Sequence, residues 1–514
     1  MINHWWVTRP QRRLNRIPEI LAVIDDVILN HPWHGERNIH VLFEDALESA
    51  GIKKAGDRRD GTGGGGRTYY AWLISLGLIF VQESSGQTKF TLAGEAILAG
   101  DSSVNVLKNQ ILKYQFPSPF SISKTTRSRV NERFKIRPFR FLLRLLYDSR
   151  INYLTEEEIT KIIILEATNE TDRHYEYIVS RIIEFRSIGD RCISRDVFEE
   201  FPVKADGKLT KISDVSNTIV NWIEYTQLAR REDDNKIRIS EDKRTEVQNI
   251  LNTVLPFIDR PDSHEYFQRK FGVDPKHSKD TRNLNERGIA TEAEIRKSKI
   301  VQALFTESIK SPVTRISAEL IERISNKTGY PHNIVEDIIS SFNIRGALDN
   351  FMVSYKDLAY RGREKATEFE LATTQLFKEV FNYEAHHIGA QGNKPDICLL
   401  SHSDKYIGII DTKAYSQYSI SNDHRNRMVY NYIEEFRRKQ YPLAFFSYIA
   451  GGFGPNINNQ IRSIAEETTI GGSAVNVSNI IELARIFADP QSGYNQDQLK
   501  AVFSLNRQVL LADL

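Results

Sequence analysis

Residues 394–415 read KPDICLLSHSDKYIGIIDTKAY. Two apolar runs, DICLLS at 396–401 and YIGIIDTKAY at 406–415, flank the polar tetrad HSDK at 402–405, which is the outline of an antiparallel hairpin. Side chains two apart on a strand share a face, so Asp411 and Lys413 point together. The turn returns the second strand to Asp396, at the start of the first. Two carboxylates brought together repel unless a cation lies between them. Asp411 and Lys413 also close an otherwise apolar run, where charge is costly without a task. Hard oxygen donors of this kind suit Mg²⁺, which keeps several waters and takes one or two carboxylates, and Mn²⁺ is expected to substitute. The set suits phosphodiester hydrolysis, with the metal polarising a phosphoryl oxygen. Lys413 is expected to orient or deprotonate the attacking water, or to stabilise the pentacovalent phosphorus. It can act as a base only if its pKa is depressed.

Upstream, ATEFELATTQLFKEVF at 366–381 carries Phe369, Leu376, Phe377 and Val380 at helical spacing, with Glu370 at the edge of the stripe. A Gly-rich turn, IGAQGNKPD at 388–396, follows. The order helix-Glu, strand-Asp, strand-DxK is the order a nuclease core needs. The candidate catalytic residues are Asp396, Asp411, Lys413 and Glu370. The candidate metal ligands are Asp396, Asp411, Thr412 and Glu370, with Glu370 holding a second metal or a metal-bound water. His386 and His387 read as surface or DNA-proximal residues. Cys398 reads as a small buried hydrophobe rather than a nucleophile.

The segment 365–490 resembles the PD-D/ExK nucleases, and more closely the FokI-like cleavage domain of type IIS restriction endonucleases. The matching stretches are KPD at 394–396, IIDTKAYS at 409–416, NYIEE at 431–435 and FFSYIAGGFG at 445–454. The resemblance implies metal-ligand roles for Asp396 and Asp411, a catalytic role for Lys413, and 5′-phosphate products. Glu370 answers to the helix glutamate, with Glu364 and Glu368 close by. Such domains dimerise through a helix bearing an Asp and an Arg. In NDHRNRMVYNYIEEF at 422–436 those positions fall on Arg427 and Asn431, so the ion pair is not kept. The stretch from SLGLIFVQ through KFTLAGEAIL to ILKYQFPSPF, at 75–120, is similar to the recognition region of AlwI and related nicking endonucleases.

With 514 residues the chain is long enough for roughly three domains of ~150 residues. No apolar run reaches the length of a membrane span and MINHWWVTRPQRR lacks a signal-peptide core, so no membrane is expected. Two distant cysteines, Cys192 and Cys398, exclude a disulfide framework and a four-cysteine zinc site, which fits a reducing bacterial cytoplasm. The net charge of +2 says little, but residues 101–150 hold eleven Lys or Arg against three acids. Such a patch reads either as a polyanion-binding face or as a solvated basic face. Within it Lys124, Arg127, Arg129 and Arg133 are the candidate DNA-binding residues. DGTGGGGR at 60–67 lacks the Lys-Ser/Thr of a P-loop and reads as a flexible loop, or as a loop approaching a DNA phosphate.

Two segments read as a helix followed by a hairpin. In the first, Tyr69–Leu76 is helical, Gly77 stops it, and IFVQ and KFTL flank a Ser-Ser-Gly turn. In the second, Asp214 is the expected N-cap, Val215, Ile219, Trp222 and Ile223 recur at helical spacing, and LARR and KIRIS flank EDDN. A helix with a β-wing is the outline of a winged helix. Trp5 and Trp6 are expected to anchor the N-terminal segment. Residues 274–297 read as exposed linker, and ISAELIERISNKTG and HNIVEDIISSF as helices.

The expectation is therefore a multidomain protein: mainly α, winged-helix-like DNA-recognition domains at 1–140 and 141–255, a helical connector at 256–345, and an α/β PD-D/ExK nuclease with a mixed sheet at 346–514. Its expected activity is that of a type IIS restriction endonuclease binding a short asymmetric site in double-stranded DNA and cutting a few base pairs away with Mg²⁺. It would use a transient homodimer or a second subunit to cut both strands. The alternatives are a strand-specific nicking endonuclease and a non-catalytic sequence-specific DNA-binding regulator. The recognition sequence and the cut offset are not written in the residues.

Overall fold

The computed structural model describes the chain apart from residues 57, 59, 124–128, 206, 233–235, 241–242, 285–291, 343, 390–392, 416 and 490, and no side chain is described at 344 and 345. Among the described residues no helix is long and apolar enough to cross a membrane. The chain divides into two compact units. One comprises Met1–Phe305 and Glu319–Gly346, the other Thr306–Ala318 and Ala347–Leu514.

The first unit is mostly helical. The glycine-rich run is not a loop throughout: the helix Gly64–Ser75 begins inside it, five residues before the expected start. The reason is packing. A Cβ on Gly65 would stand 2.3 Å from Glu44 Oε1, and one on Gly66 would stand 2.7 Å from the His40 carbonyl oxygen. Only a bare backbone lets this helix lie so close to the preceding one, Arg37–Ser49. Gly77 then takes a left-handed φ of +69° and ends the helical run. Strands β1 (Ile79–Val81) and β2 (Thr88–Phe90) pair antiparallel, and Thr91 leaves the strand to cap the helix Leu92–Leu98. The second hairpin is joined by a third strand. β3 (Leu154–Thr155), β4 (Ala229–Arg231) and β5 (Lys236–Ile239) form an antiparallel sheet in the order β3-β5-β4, with β4 and β5 following the helix Ser213–Tyr225. Asp214 is not the N-cap: Ile212 stands there, and Asp214 pairs with Arg12 at 2.7 Å. EDDN lies largely outside the described residues.

The segment 274–297 is mostly exposed where it is described, as its composition suggests, but it is anchored at two aspartates. Asp274 is buried, and Asp280, whose side chain is 1% exposed, pairs with Arg269 at 3.1 Å and Arg282 at 2.7 Å. From Glu292 the chain is helical to Lys310. The two helices expected further on are Ala318–Thr328 and His332–Ser340. Trp5 is fully buried, with its indole N–H donated to the Ala167 carbonyl at 2.7 Å.

The second unit is built on a six-stranded mixed sheet, β6 (Glu384–His387), β7 (Ile397–Ser401), β8 (Tyr406–Lys413), β9 (Leu443–Ala450), β10 (Gly471–Asn476) and β11 (Arg507–Gln508), in the order β11-β10-β9-β8-β7-β6. β6, β7 and β8 run antiparallel to one another, and β8, β9, β10 and β11 are parallel neighbours. Alternation sorts the side chains into two cores. Ile397, Leu399, Ile410 and Phe445 join one, which includes Phe369, Leu376 and Phe377 from the helix Ala366–Glu379. Ile407, Ile409, Phe446 and Tyr448 join the other, which includes Met428, Tyr432 and Ile461. Two consecutive phenylalanines of β9 each lie over a glycine of a neighbouring strand. A Cβ on Gly408 of β8 would stand 2.3 Å from Phe445 Cζ, and one on Gly472 of β10 would stand 2.1 Å from Phe446 Cζ.

Candidate active site

The hairpin β7–β8 pairs Ile397 with Ile410. Continued by one residue, that register sets Asp396 opposite Asp411. Asp411 and Lys413 follow Ile407 and Ile409 on the same face of β8, at the end of the second core. Lys413 Nζ lies 2.7 Å from Asp411 Oδ2 and 3.8 Å from Asp396 Oδ2, so the ammonium joins both carboxylates. The expected ligand Thr412 donates its N–H, at 2.6 Å, and its hydroxyl, at 3.1 Å, to Asp396 Oδ2. The other oxygen of Asp396 lies near Gly389: a Cβ on Gly389 would stand 3.1 Å from Asp396 Oδ1 and 3.0 Å from Glu370 Oε2. The missing side chain keeps a space open between these two acids. The structure thus brings Asp396, Asp411 and Lys413 together and sets Glu370 near Asp396. Among the described residues no group of three or more His, Cys, Asp or Glu converges as a metal site.

Burial and repulsion act together on Asp396. Burial, then the neighbouring Asp411, push its carboxyl up to about 8, with Lys413 pulling the other way and Glu370 adding to the rise. Burial works to lower the Lys413 pKa, but Asp411 and Asp396 outweigh it and hold the amine above its ordinary value. In this arrangement the two aspartates favour the ammonium form of Lys413, a donor of charge and hydrogen bonds. Three phenols wall the site, those of Tyr418, Tyr432 and Tyr448. All are pushed up by burial first and then by Asp411, so they stay protonated. Tyr448 is the partner of Asp411 across β8–β9, and Tyr418 hydrogen-bonds His424 Nδ1 at 2.8 Å. A divalent cation fits this donor set. Two buried acids that repel one another suit an ion that takes one or two carboxylates and completes its shell elsewhere.

The shift of Asp396 makes stability depend on pH. An unfolded aspartate loses its proton near 4, whereas the folded one holds it to about 8. Between those values the folded state binds more protons, so stability falls as pH rises through that window. In cation-free buffer the melting temperature is expected to fall from pH 5 to pH 9 more steeply in the wild type than in Asp396→Asn. Equal slopes in the two proteins would contradict this.

The other candidates sit as follows. His387 is not a surface residue: it is mostly buried and its Nε2 lies 2.7 Å from Glu370 Oε2. Sequence reading missed it because nothing in the local pattern ties an edge-strand histidine to a helix seventeen residues earlier. His386 does face outward and pairs with Glu384 at 2.7 Å. Cys398 packs on the second core, and burial pushes its thiol up to about 11, which makes it a poor nucleophile. Arg427 pairs with Asp423 at 2.8 Å within its own helix.

Lys124 and Arg127 lie outside the described residues. Arg129 pairs with Glu132 at 2.7 Å, and Arg133 donates to the carbonyls of Asn3 and Leu165 at 3.1 and 2.8 Å. The rest of the basic stretch is engaged too. Lys108 pairs with Glu246, Arg137 with Glu170, Arg144 with Asp172, and Arg150 with Asp148 and Glu176. Lys113 and Arg140 donate to backbone carbonyls, and Lys135 lies against the Phe257 ring. Much of the local charge excess is thus met by acids distant in sequence.

Residues 329–510, which contain the whole site, match the family model described as "FokI, cleavage domain". Residues 72–286 match the one described as "Restriction endonuclease BpuJI - N terminal". That second match takes in all of the stretch similar to AlwI, and the relative it names is BpuJI. Over 133 residues the chain is 28% identical to "Type II restriction enzyme StsI" of Streptococcus sanguinis, across 23% of this chain and 21% of that protein. The match therefore spans about a fifth of that relative's length. Among solved structures, restriction endonuclease FokI aligns at 14% identity over 99% of this chain and 100% of its own, with a TM-score of 0.28. A DNA complex of the BpuJ1 endonuclease binding domain aligns at 16% identity over 57% and 92%, with a TM-score of 0.32. Both scores are too low to place the fold. The two sequence matches are specific to their segments: residues 329–510 match the FokI cleavage-domain family and residues 72–286 the BpuJI N-terminal family, so the chain is similar to restriction endonucleases in both of these parts.

Proposed function

We propose that the protein is a type IIS restriction endonuclease that binds a short asymmetric site in double-stranded DNA and hydrolyses phosphodiester bonds a few base pairs away. The observation that carries this reading is the convergence of Asp396, Asp411 and Lys413 within the FokI cleavage-domain match. Asp396 and Asp411 would hold Mg²⁺, or Mn²⁺ in its place, with Glu370 and Thr412 as further ligands. Bound there, the ion supplies Lewis-acid charge next to the scissile phosphate. Lys413, kept as an ammonium by its two aspartates, offsets charge that builds on the phosphoryl oxygens. Thr412 keeps Asp396 in place through two hydrogen bonds.

In the proposed division of labour, two winged-helix-like modules at 1–140 and 141–255 read the DNA and 256–345 connects them to the nuclease at 346–514. Each module contains a helix followed by a hairpin, which supports this reading. Arg129 and the undescribed Lys124 and Arg127 remain the proposed contacts, and Arg133 has a structural task as well. A second reading, a strand-specific nicking enzyme, is favoured by one observation: Arg427 and Asn431 occupy the positions of the dimer ion pair, and Arg427 is tied to Asp423. Otherwise a transient homodimer or a second subunit cuts the other strand. The intact set of acids and lysine speaks against a non-catalytic regulator.

Incubating the protein with supercoiled plasmid and Mg²⁺ tests the proposal. Linear products are expected, open circles that persist would establish nicking, and DNA left supercoiled in Mg²⁺ and in Mn²⁺, on plasmids and on genomic DNA alike, would overturn the nuclease. Sequencing the ends of digested genomic DNA then gives the site and the offset.

A further inference from the structure

We propose that His387 is a positioning residue that fixes the Glu370 carboxylate beside Asp396, a role that rests on the nuclease reading. Glutamate on a helix surface has several rotamers to choose from, and choosing one costs conformational entropy. Here one rotamer is held: His387 Nε2 lies 2.7 Å from Glu370 Oε2, with both side chains about four-fifths buried. In the proposed role Nε2 is the donor and the carboxylate oxygen the acceptor. The same oxygen, Oε2, faces the open point over Gly389 that Asp396 Oδ1 faces from the other side. The segment that carries His387 also grips Asp396. His387 pairs with Ile397 across β6–β7, and the N–H groups of Ile388 and Gly389 donate to the Asp396 carbonyl at 2.8 and 3.1 Å. Three consecutive residues, His387, Ile388 and Gly389, thus set a side chain from the helix and a main-chain carbonyl from the sheet in one frame. His386, one residue earlier, turns outward to Glu384 and provides an internal control.

The test compares His387→Gln, His387→Leu and His386→Leu in the full chain. It reads the single-turnover cleavage rate in Mg²⁺, duplex affinity without the cation, and melting temperature. The glutamine amide can stand where Nε2 stands, whereas leucine offers no donor. Removing a partner that orients a ligand typically costs 10–100-fold. His387→Leu is expected to slow cleavage ~30-fold and His387→Gln under ~3-fold. DNA affinity and melting are expected to stay unchanged, and His386→Leu to match the wild type. On a Glu370→Gln background the leucine effect is expected to shrink to under ~3-fold, because the partner to be positioned is gone. Should leucine unfold the edge strand, His387→Asn replaces it, since its shorter amide cannot reach Glu370. The role is overturned if the donorless variant cleaves at the wild-type rate, if glutamine is as slow as leucine, or if the full loss recurs without Glu370. A wild type that leaves all DNA intact would instead overturn the nuclease reading itself.

Discussion

Replacing Asp411 with asparagine is expected to lower the rate of DNA cleavage by ~10³-fold, about 4 kcal/mol of transition-state stabilisation, while the protein still folds and binds duplex DNA. The substitution keeps the shape of the side chain and removes one charge. What is lost is a carboxylate oxygen at the one place where Asp396, Asp411 and Lys413 meet. The effect on folding is small for a definite reason. Lys413 loses its 2.7 Å ion pair but keeps Asp396 at 3.8 Å, and Asp396 is relieved of the neighbour that repels it. Circular dichroism, cation-free DNA binding and single-turnover cleavage on the same preparation separate these effects. A variant that cuts at a tenth of the wild-type rate or faster would remove Asp411 from the chemistry.

The largest expected effect on stability lies away from the site. Gly408→Ala is expected to destabilise the second unit by about 3 kcal/mol, the upper range for a forced overpacking. A Cβ there would stand 2.3 Å from Phe445 Cζ, and Phe445 has no free room: it is fully buried and stacks on Phe503 with ring centres 5.0 Å apart. Gly472→Ala is expected to do the same from the opposite face, against Phe446. Neither glycine has a positive φ, so the cost is steric and not a matter of backbone strain. A second change distinguishes the two causes. Phe445→Leu is expected to recover part of the Gly408→Ala loss and none of the Gly472→Ala loss in denaturant titrations. Equal recovery of both would show that the ring contact is not what the glycine accommodates.

The hairpin and its acids were legible because they depend on local rules. A four-residue turn fixes which strands pair, period two fixes which side chains share a face, and both are properties of a short segment. So Asp396, Asp411 and Lys413 could be placed together from twenty residues. What failed depends on partners that a local reading cannot supply. The basic stretch looks like a free electropositive face until Glu170, Glu176 and Glu246 come into contact with it. The run of glycines looks like a flexible loop until Glu44 and His40 of another helix require a bare backbone beside them. Asp214 has the right chemistry for a cap, yet Arg12, two hundred residues away, has taken it. His387 owes its position to a strand pairing and a helix crossing at once, and neither is encoded in its neighbours.

The engaged arginines and lysines of residues 101–150 have a bearing on how the protein finds its target. Attraction to arbitrary duplex comes from displaced counterions, in proportion to the phosphates that unspent cations neutralise. Each described basic residue of that stretch already has a carboxylate, a carbonyl or an aromatic ring as its companion. Among the described residues little of this stretch is left over for an arbitrary phosphate, so in the proposed nuclease sequence-independent attraction through these side chains would be weak.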